Sequence, residues 1–564
     1  MRGNRRAFLA GAAGMLAAGV TRRAAAQIEV APPAGNTARR PLDLRPFLDA
    51  LENLTPAARM RLDGFIREAS IPQMQADLQA GRYSSVDLVT YYLDRIRRFD
   101  ITGLHAVLDL NPDILEIAAV HDSERSQGRV RGPLHGIPVL LKDNIGSGDK
   151  MRTTAGAAAL AAARCDRDAH LVAGLRDAGA IMLGKTNLSE WAYWMSYIAP
   201  SGFSALGGQT VCPYGAAIDP VGSSTGSAVA MTANLAAISI GTETAGSIVA
   251  PSSRASVVGM RPTLGLVSRD RVLPITDECD MAGPIGRTVS DVAIALTAMA
   301  ATPDPRDRHS RRAAGVHGTD FFALLDRDAL RGKRVGIIGI ELSGPADDEW
   351  IIANSGLTAT ADALRRAGAE IIVVRPEPFD FSGPGFVGEF NYGMREGVNA
   401  YLRATNAPMS SLAEIIEFND QDPARFAPWG QDRLRDCLWC PLGEAEARLI
   451  ARGNRQQARA YLSGLLDGYE IDMLVGIDTL QSLIYPFAGF PAIAMPGGLS
   501  PWGVPFSATF IGRPREDAAL LSMAYAFEQA GPLRVPPELP GDLPLRRPVE
   551  PVRPGRTRQR QGSL

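Results

Sequence analysis

Gly222-Ser-Ser-Thr-Gly-Ser-Ala228 and Gly241-Thr-Glu-Thr-Ala-Gly-Ser-Ile248 bracket the stretch that decides the fold. Between them a small-residue helix pattern runs from Ser227 to Ala236, and a short strand pattern from Ala237 to Gly241. Ten helical residues rise about 15 Å, and five strand residues return by about the same distance. An antiparallel return sets Ser223 and Ser247 at one end of a sheet. Upstream, Gly136-Ile-Pro-Val-Leu-Leu-Lys-Asp-Asn-Ile145 carries an apolar run, Ile137–Leu141, that reads as a second strand. Lys142 would leave its carboxyl end, where open α/β sheets bind ligands. Two serines and one lysine converging there form a hydrolase arrangement.

Outward from this core, helix and strand patterns alternate. Leu104–Leu110, Ala180–Leu183, Arg334–Gly339, Glu370–Val374 and Met473–Val475 read as strands. Asp168–Ala178 and Glu349–Ala367 read as helices, as does Ser85 to Ile96 with a serine cap. The alternation predicts an α/β fold with a mixed, largely parallel sheet and helices on both faces. Ala301–Asp320 is a polar loop. Phe379–Ile450, helical pieces broken by Pro and Gly, is a candidate cap over a pocket.

The ends are expected to lie outside that fold. Asn4-Arg5-Arg6-Ala7-Phe8-Leu9, the weakly apolar Ala10–Val20 and Ala24-Ala25-Ala26 have the order of a twin-arginine export signal. The apolar part is too short to span a bilayer. Cleavage near Ala26 predicts a periplasmic or secreted protein beginning near Gln27. It removes five arginines and no acid, taking the formal charge from −2 to −7, which is no nucleic-acid-binding balance. Residues 27–535 are then one domain, and the Pro- and Arg-rich residues 536–564 a solvated, disordered tail.

Several motifs fail on chemistry. Gly179-Ala-Ile-Met-Leu-Gly-Lys-Thr186 has phosphate-loop spacing, but its middle positions belong in a buried strand. Gly222-Ser-Ser224-Thr-Gly226 fits a nucleophile elbow, which needs a later histidine. Only His309 and His317 follow, both in the polar loop, and no histidine–carboxylate cluster has metal-ligand spacing along the chain. Five cysteines make an odd count, against a complete disulfide framework. Cys437-Leu-Trp-Cys440 reads as two ordinary cysteines near a helix end. A hydrolase without metal, cofactor or catalytic histidine remains.

At these residues the sequence resembles the amidase signature family, from about Tyr83 to Ala530. The pieces are Gly136–Asn144, Leu183-Gly-Lys-Thr-Asn-Leu-Ser-Glu-Trp191, the block Gly222–Val249, Val258–Arg269 and Ala282–Asp291. Ala488-Gly-Phe-Pro-Ala-Ile-Ala-Met-Pro496 and Phe510-Ile-Gly-Arg513 extend it. The Ser-Glu-Trp and Thr-Glu-Thr-Ala-Gly-Ser-Ile-Val variants are similar to the peptide-amidase-like branch. The resemblance implies one α/β/α sandwich, with Ser247 as nucleophile, Ser223 as bridging serine after a cis peptide, and Lys142 as base. It implies N–H groups of Thr244, Ala245 and Gly246 as the oxyanion hole. The family often has Gly-Gly-Ser where Ala245-Gly246-Ser247 stands, and Thr225 replaces a common glycine; both changes bear on substrate fit more than on chemistry. Ser224 and Ser227 are expected as cap or turn hydroxyls.

The implied reaction is acyl transfer from a small-molecule or peptide amide through an acyl-enzyme. An amidotransferase A-subunit-like protein and a non-catalytic binding protein on the same fold are the alternatives. Trp191, Tyr193 and Trp194 are candidate pocket residues, although core packing is the commoner fate of such aromatics.

Overall fold

The computed structural model describes residues 38–339, 347–379 and 385–544. The expected signal peptide and the arginine run 553–560 lie outside them. Thirteen strands are present among the described residues: β1 (Val107–Leu110), β2 (Pro138–Lys142), β3 (Ile181–Thr186), β4 (Phe203–Ser204), β5 (Gly208–Gln209), β6 (Ile238–Glu243), β7 (Val258–Arg261), β8 (Met281–Gly286), β9 (Arg334–Ile338), β10 (Glu370–Val374), β11 (Met473–Ile477), β12 (Ala492–Leu499) and β13 (Pro505–Ile511). Eleven form one mixed sheet in the order β1-β3-β2-β6-β8-β7-β12-β13-β11-β9-β10, while β4 and β5 pair separately. Its parallel character resides in two blocks, β3-β2-β6 and β11-β9-β10. Antiparallel pairings through β8, β7, β12 and β13 join the blocks.

Side chains alternate across a strand, and the core divides accordingly. Val335 and Ile337 of β9, Met473 and Val475 of β11, and Ile493 and Met495 of β12 belong to one apolar cluster. The intervening Leu474, Ala492 and Ala494, with Ile338, belong to a second. The first is covered by helices Thr358–Arg366 and Asp517–Ala530, through Leu364, Leu520 and Phe527. The second is covered by helices Phe386–Ala404 and Glu444–Gly468, through Phe390, Met394, Leu462 and Leu466. This gives the expected helix–sheet–helix sandwich. Much of the stretch read as a cap is therefore a wall of the core. Its irregularity in sequence reflects five successive helices between Phe386 and Gly468.

The deciding stretch folds as a reversal, shifted slightly from expectation. Its helix spans Thr225–Thr232 and its strand is β6. The helix includes Gly226, where a Cβ would lie 2.4 Å from the carbonyl oxygens of Ala106 and Asn187. Only glycine permits that approach. β2 runs parallel to β6 in the register Leu141↔Ile240, so Lys142 emerges beside Thr242. At the other end of the chain, β1 starts later than expected because Ile96–Leu104 is a π-helical turn. The Asp100 carboxylate closes it, accepting from the N–H groups of Ala106 and Val107 at 2.6 and 3.1 Å. The capping serine of Ser85–Arg95 is Ser84, in a reciprocal box with Asp87.

The boundary drawn at 535 does not mark the end of the packed chain. Asp542 pairs with buried Arg95 at 2.8 Å and with Arg67 at 3.2 Å. Gly541 accepts from Arg98 at 2.9 Å. A carboxylate that neutralises a buried guanidinium holds this segment down far better than an exposed pair would. Among the described residues no helix is long and apolar enough to cross a membrane.

Candidate active site

Lys142 Nζ lies 2.8 Å from Ser223 Oγ and 3.2 Å from the Thr242 carbonyl oxygen, with both side chains wholly buried. Burial lowers the lysine to about 7, although the carboxylates of Asp280 and Glu243 pull it upward. Desolvation wins because no carboxylate touches the ammonium. The peptide Gly222–Ser223 is cis, as the resemblance implied. Ser223 is held from behind by its carbonyl oxygen, which accepts from the Ser189 N–H at 3.1 Å.

Ser247 is the least buried of the three, 8% exposed. Among the described residues its hydroxyl has no hydrogen-bond partner, and no bond joins it to Ser223 Oγ. The backbone ties the two segments instead, with the Ser224 N–H donating to the Ser247 carbonyl at 3.1 Å. Catalytic hydroxyl contacts are often long in a free enzyme and tighten with substrate.

The third feature is a turn whose amides are unpaired among the described residues. Glu243 Oε2 accepts from the N–H groups of Ile248 and Val249 at 2.8 and 3.0 Å, satisfying the start of helix Val249–Arg254. No described residue accepts from the N–H groups of Thr244, Ala245, Gly246 or Ser247. Buried amides are almost always paired, so this turn is a preformed donor set. Gly246 sits at φ +83°, and a Cβ there would meet Ser482 Cβ at 3.0 Å. The turn is anchored from outside by Thr244 Oγ1, which donates to Asp280 Oδ1 at 2.6 Å. Asp280 Oδ2 accepts from the N–H groups of Ile275 and Thr276. Arg261, fully buried, donates to the Glu243 carbonyl at 2.8 Å.

Glu243, Asp280 and Arg261 escaped the sequence reading. The available signal was polarity out of place. Glu243 and Arg261 end strands whose every residue is buried, and a buried charge must have a local use.

The other candidates have structural duties. Ser224 Oγ donates to the Thr242 carbonyl at 2.9 Å and accepts from the Thr242 N–H at 3.1 Å. It makes no helix cap. Ser227 Oγ shares a 2.7 Å hydrogen bond with Thr186 Oγ1. We expect Ser224→Ala to lower activity less than about tenfold while costing about 1–3 kcal/mol of unfolding free energy, read by denaturant titration. An inactive, fully stable Ser224→Ala protein would restore the elbow reading.

Lys185 of the phosphate-loop lookalike is buried in β3 and donates to Thr153 Oγ1 at 2.9 Å. Cys437 and Cys440 are buried, unbridged thiols, Cys437 being pushed up to about 12 by burial. Trp191 is buried, and Trp194 packs on Phe390 with ring centroids 5.4 Å apart. Trp194 Nε1 donates to Asn391 at 3.0 Å, so this turn is fastened to helix Phe386–Ala404.

Comparison with known proteins agrees with this architecture. The family model described as Amidase matches residues 87–426. The chain belongs to the amidase signature family. As a family member it is an amidase, a hydrolase of amide carbon–nitrogen bonds. It is 36% identical over 496 residues to a protein named a probable amidase in Arabidopsis thaliana, covering 86% of this chain and 94% of that one. The structure of native peptide amidase from Stenotrophomonas maltophilia superposes with a TM-score of 0.78 at 39% identity, covering 84% of this amidase and 99% of that chain. The A subunit of the glutamyl-tRNA(Gln) amidotransferase of Aromatoleum aromaticum is 30% identical, over 82% of this chain and 97% of that one.

Proposed function

We propose that this amidase is an exported serine hydrolase that cleaves a peptide or small-molecule amide by a Ser-Ser-Lys relay. The observation that carries it is the 2.8 Å contact between Ser223 Oγ and a fully buried lysine lowered to about 7. Neutral Lys142 takes the proton of Ser223 Oγ, which takes that of Ser247 as Ser247 Oγ attacks the carbonyl carbon. The unspent N–H groups of Thr244, Ala245 and Gly246 receive the oxyanion. Collapse breaks the carbon–nitrogen bond, and the relay run backwards protonates the departing amine. Water then repeats the cycle on the acyl-Ser247 ester.

Higher identity to the peptide amidase than to the amidotransferase supports hydrolysis, with peptide amides as the first substrates to try. The twin-arginine pattern at Arg5-Arg6 and the Ala24-Ala25-Ala26 site support export.

A single mass-spectrometric experiment tests both halves. Protein recovered from the periplasm and treated with a fluorophosphonate should carry one adduct, on the peptide containing Ser247, and an amino terminus near Gln27. An adduct on Ser224 would overturn the relay. An intact Met1 would overturn export.

A further inference from the structure

Away from the relay, the chain brings together three donor atoms that no catalytic step uses. His121 and Glu124 lie three residues apart on helix Ile114–Ser126, hence on one face. His135 lies on the loop entering β2. His121 Nδ1 is 3.4 Å from His135 Nδ1, and Glu124 Oε2 is 3.7 and 3.8 Å from the two nitrogens. We propose that His121 Nδ1, Glu124 Oε2 and His135 Nδ1 bind one divalent transition-metal ion of the zinc type, with water completing its shell.

The distances carry the argument. A triangle of sides 3.4, 3.7 and 3.8 Å has a centre about 2.1 Å from each corner, and zinc bonds to imidazole nitrogen and carboxylate oxygen run about 2.0–2.2 Å. Each of the three atoms also has a hydrogen-bond partner: the Arg131 N–H donates to His135 Nδ1 at 3.5 Å, Arg131 Nε donates to Glu124 Oε2 at 3.0 Å, and the two Nδ1 atoms are in contact with each other. A bond between the rings uses one N–H and one lone pair, and Glu124 Oε2 stays outside hydrogen-bond reach of both. An ion would replace the contact between the rings and engage all three atoms at once.

The surroundings are those of a held ligand set. His135 Nε2 donates to the His121 carbonyl at 3.0 Å, which leaves its Nδ1 as a lone pair whose long 3.5 Å contact with the Arg131 N–H an ion would displace. The His135 carbonyl accepts from Gln75 and Arg125, both at 2.9 Å, so the loop is braced. Arg131 donates to Glu124 Oε1 at 2.6 Å and to Oε2 at 3.0 Å. That contact orients the carboxylate and leaves its second lone pair on Oε2 for the ion. Both histidines are buried, whereas the Glu124 side chain is 18% exposed. Arg131 and Leu134, neighbours of the cluster, also line a cavity of about 340 Å³. The histidines are fourteen residues apart in sequence, which no spacing rule flags; folding alone assembles the trio.

The test uses the full-length protein, stripped with chelator and titrated with zinc, then with cobalt(II) for its visible absorption. One equivalent of either metal should be retained, and zinc should raise the thermal midpoint. Glu124→Gln and His121→Asn should each weaken binding at least about tenfold. Glu124→Gln alters a partly exposed group and keeps the test decisive should the buried histidine variant unfold. Failure of the parent protein to retain zinc overturns the proposal. So does equal affinity in the parent and in Glu124→Gln, since the metal is then held elsewhere.

Discussion

Ser247→Ala is expected to reduce amide turnover by on the order of 10⁴-fold or more and to abolish fluorophosphonate labelling, with the unfolding midpoint nearly unchanged. In the proposed relay Ser247 Oγ is the atom that forms the covalent bond, and loss of a serine nucleophile leaves only what binding and the oxyanion donors supply. The unchanged stability follows from the structure. Ser247 Oγ has no hydrogen-bond partner among the described residues, so its loss leaves no buried group unsatisfied. Ser223 differs: its hydroxyl is the contact of a buried lysine, so its removal takes a partner from that amine as well as breaking the relay. Measured side by side on one amide, the Ser247 variant should lose rate alone and the Ser223 variant both rate and stability. Residual turnover within about tenfold of the parent in Ser247→Ala would remove Ser247 from the chemistry, since that loss is too small for a covalent nucleophile.

Glu370–Val374 is a strand with the expected ends, and Lys142 and Ser223 meet as expected. These features rest on local signals: continuous apolar runs for strands buried on both faces, and glycine-rich turns at their ends. What escaped depends on distant partners. Asp280 braces Thr244 across thirty-six residues, and no periodicity marks a carboxylate whose use lies in another loop. The stretch 379–450 is irregular in sequence because the helices Leu412–Gln421 and Asp432–Leu438 that pack into the second core cluster are short, and Pro423–Phe426 between them buries no residue. The segment around Asp542 is Pro-rich and polar, compositionally a tail; its order comes from Arg67 and Arg95, more than four hundred residues away. The unspent amides of 244–247 have no sequence signature, because which N–H groups go unpaired depends on acceptors such as Glu243 Oε2 that only the folded chain brings near.

Lys142→Met should abolish relay chemistry and stabilise the fold. The lysine is lowered to about 7 from an ordinary 10.5 by burial. Between those values the unfolded chain carries a proton that the folded chain does not, so unfolding takes up protons and stability rises with pH. Below pH 7 both states are protonated, and the penalty is constant at its full size, on the order of 3–5 kcal/mol at about 1.4 kcal/mol per unit. Methionine keeps much of the buried aliphatic stem and removes the titration. Its advantage in unfolding free energy should therefore be largest at pH 7 and below, and shrink toward pH 10. Activity in the parent should show the complementary limb. In the proposed relay the neutral amine is the base, so kcat/KM should fall tenfold per unit as pH drops below about 7, and level off above it. A buried base that costs stability and confers rate predicts both curves from one titration. A parent rate flat from about pH 9 to about pH 5 would overturn the base assignment. A methionine variant no more stable at pH 6 than at pH 10, relative to the parent, would show that Lys142 is solvated as the charged ammonium in the folded protein.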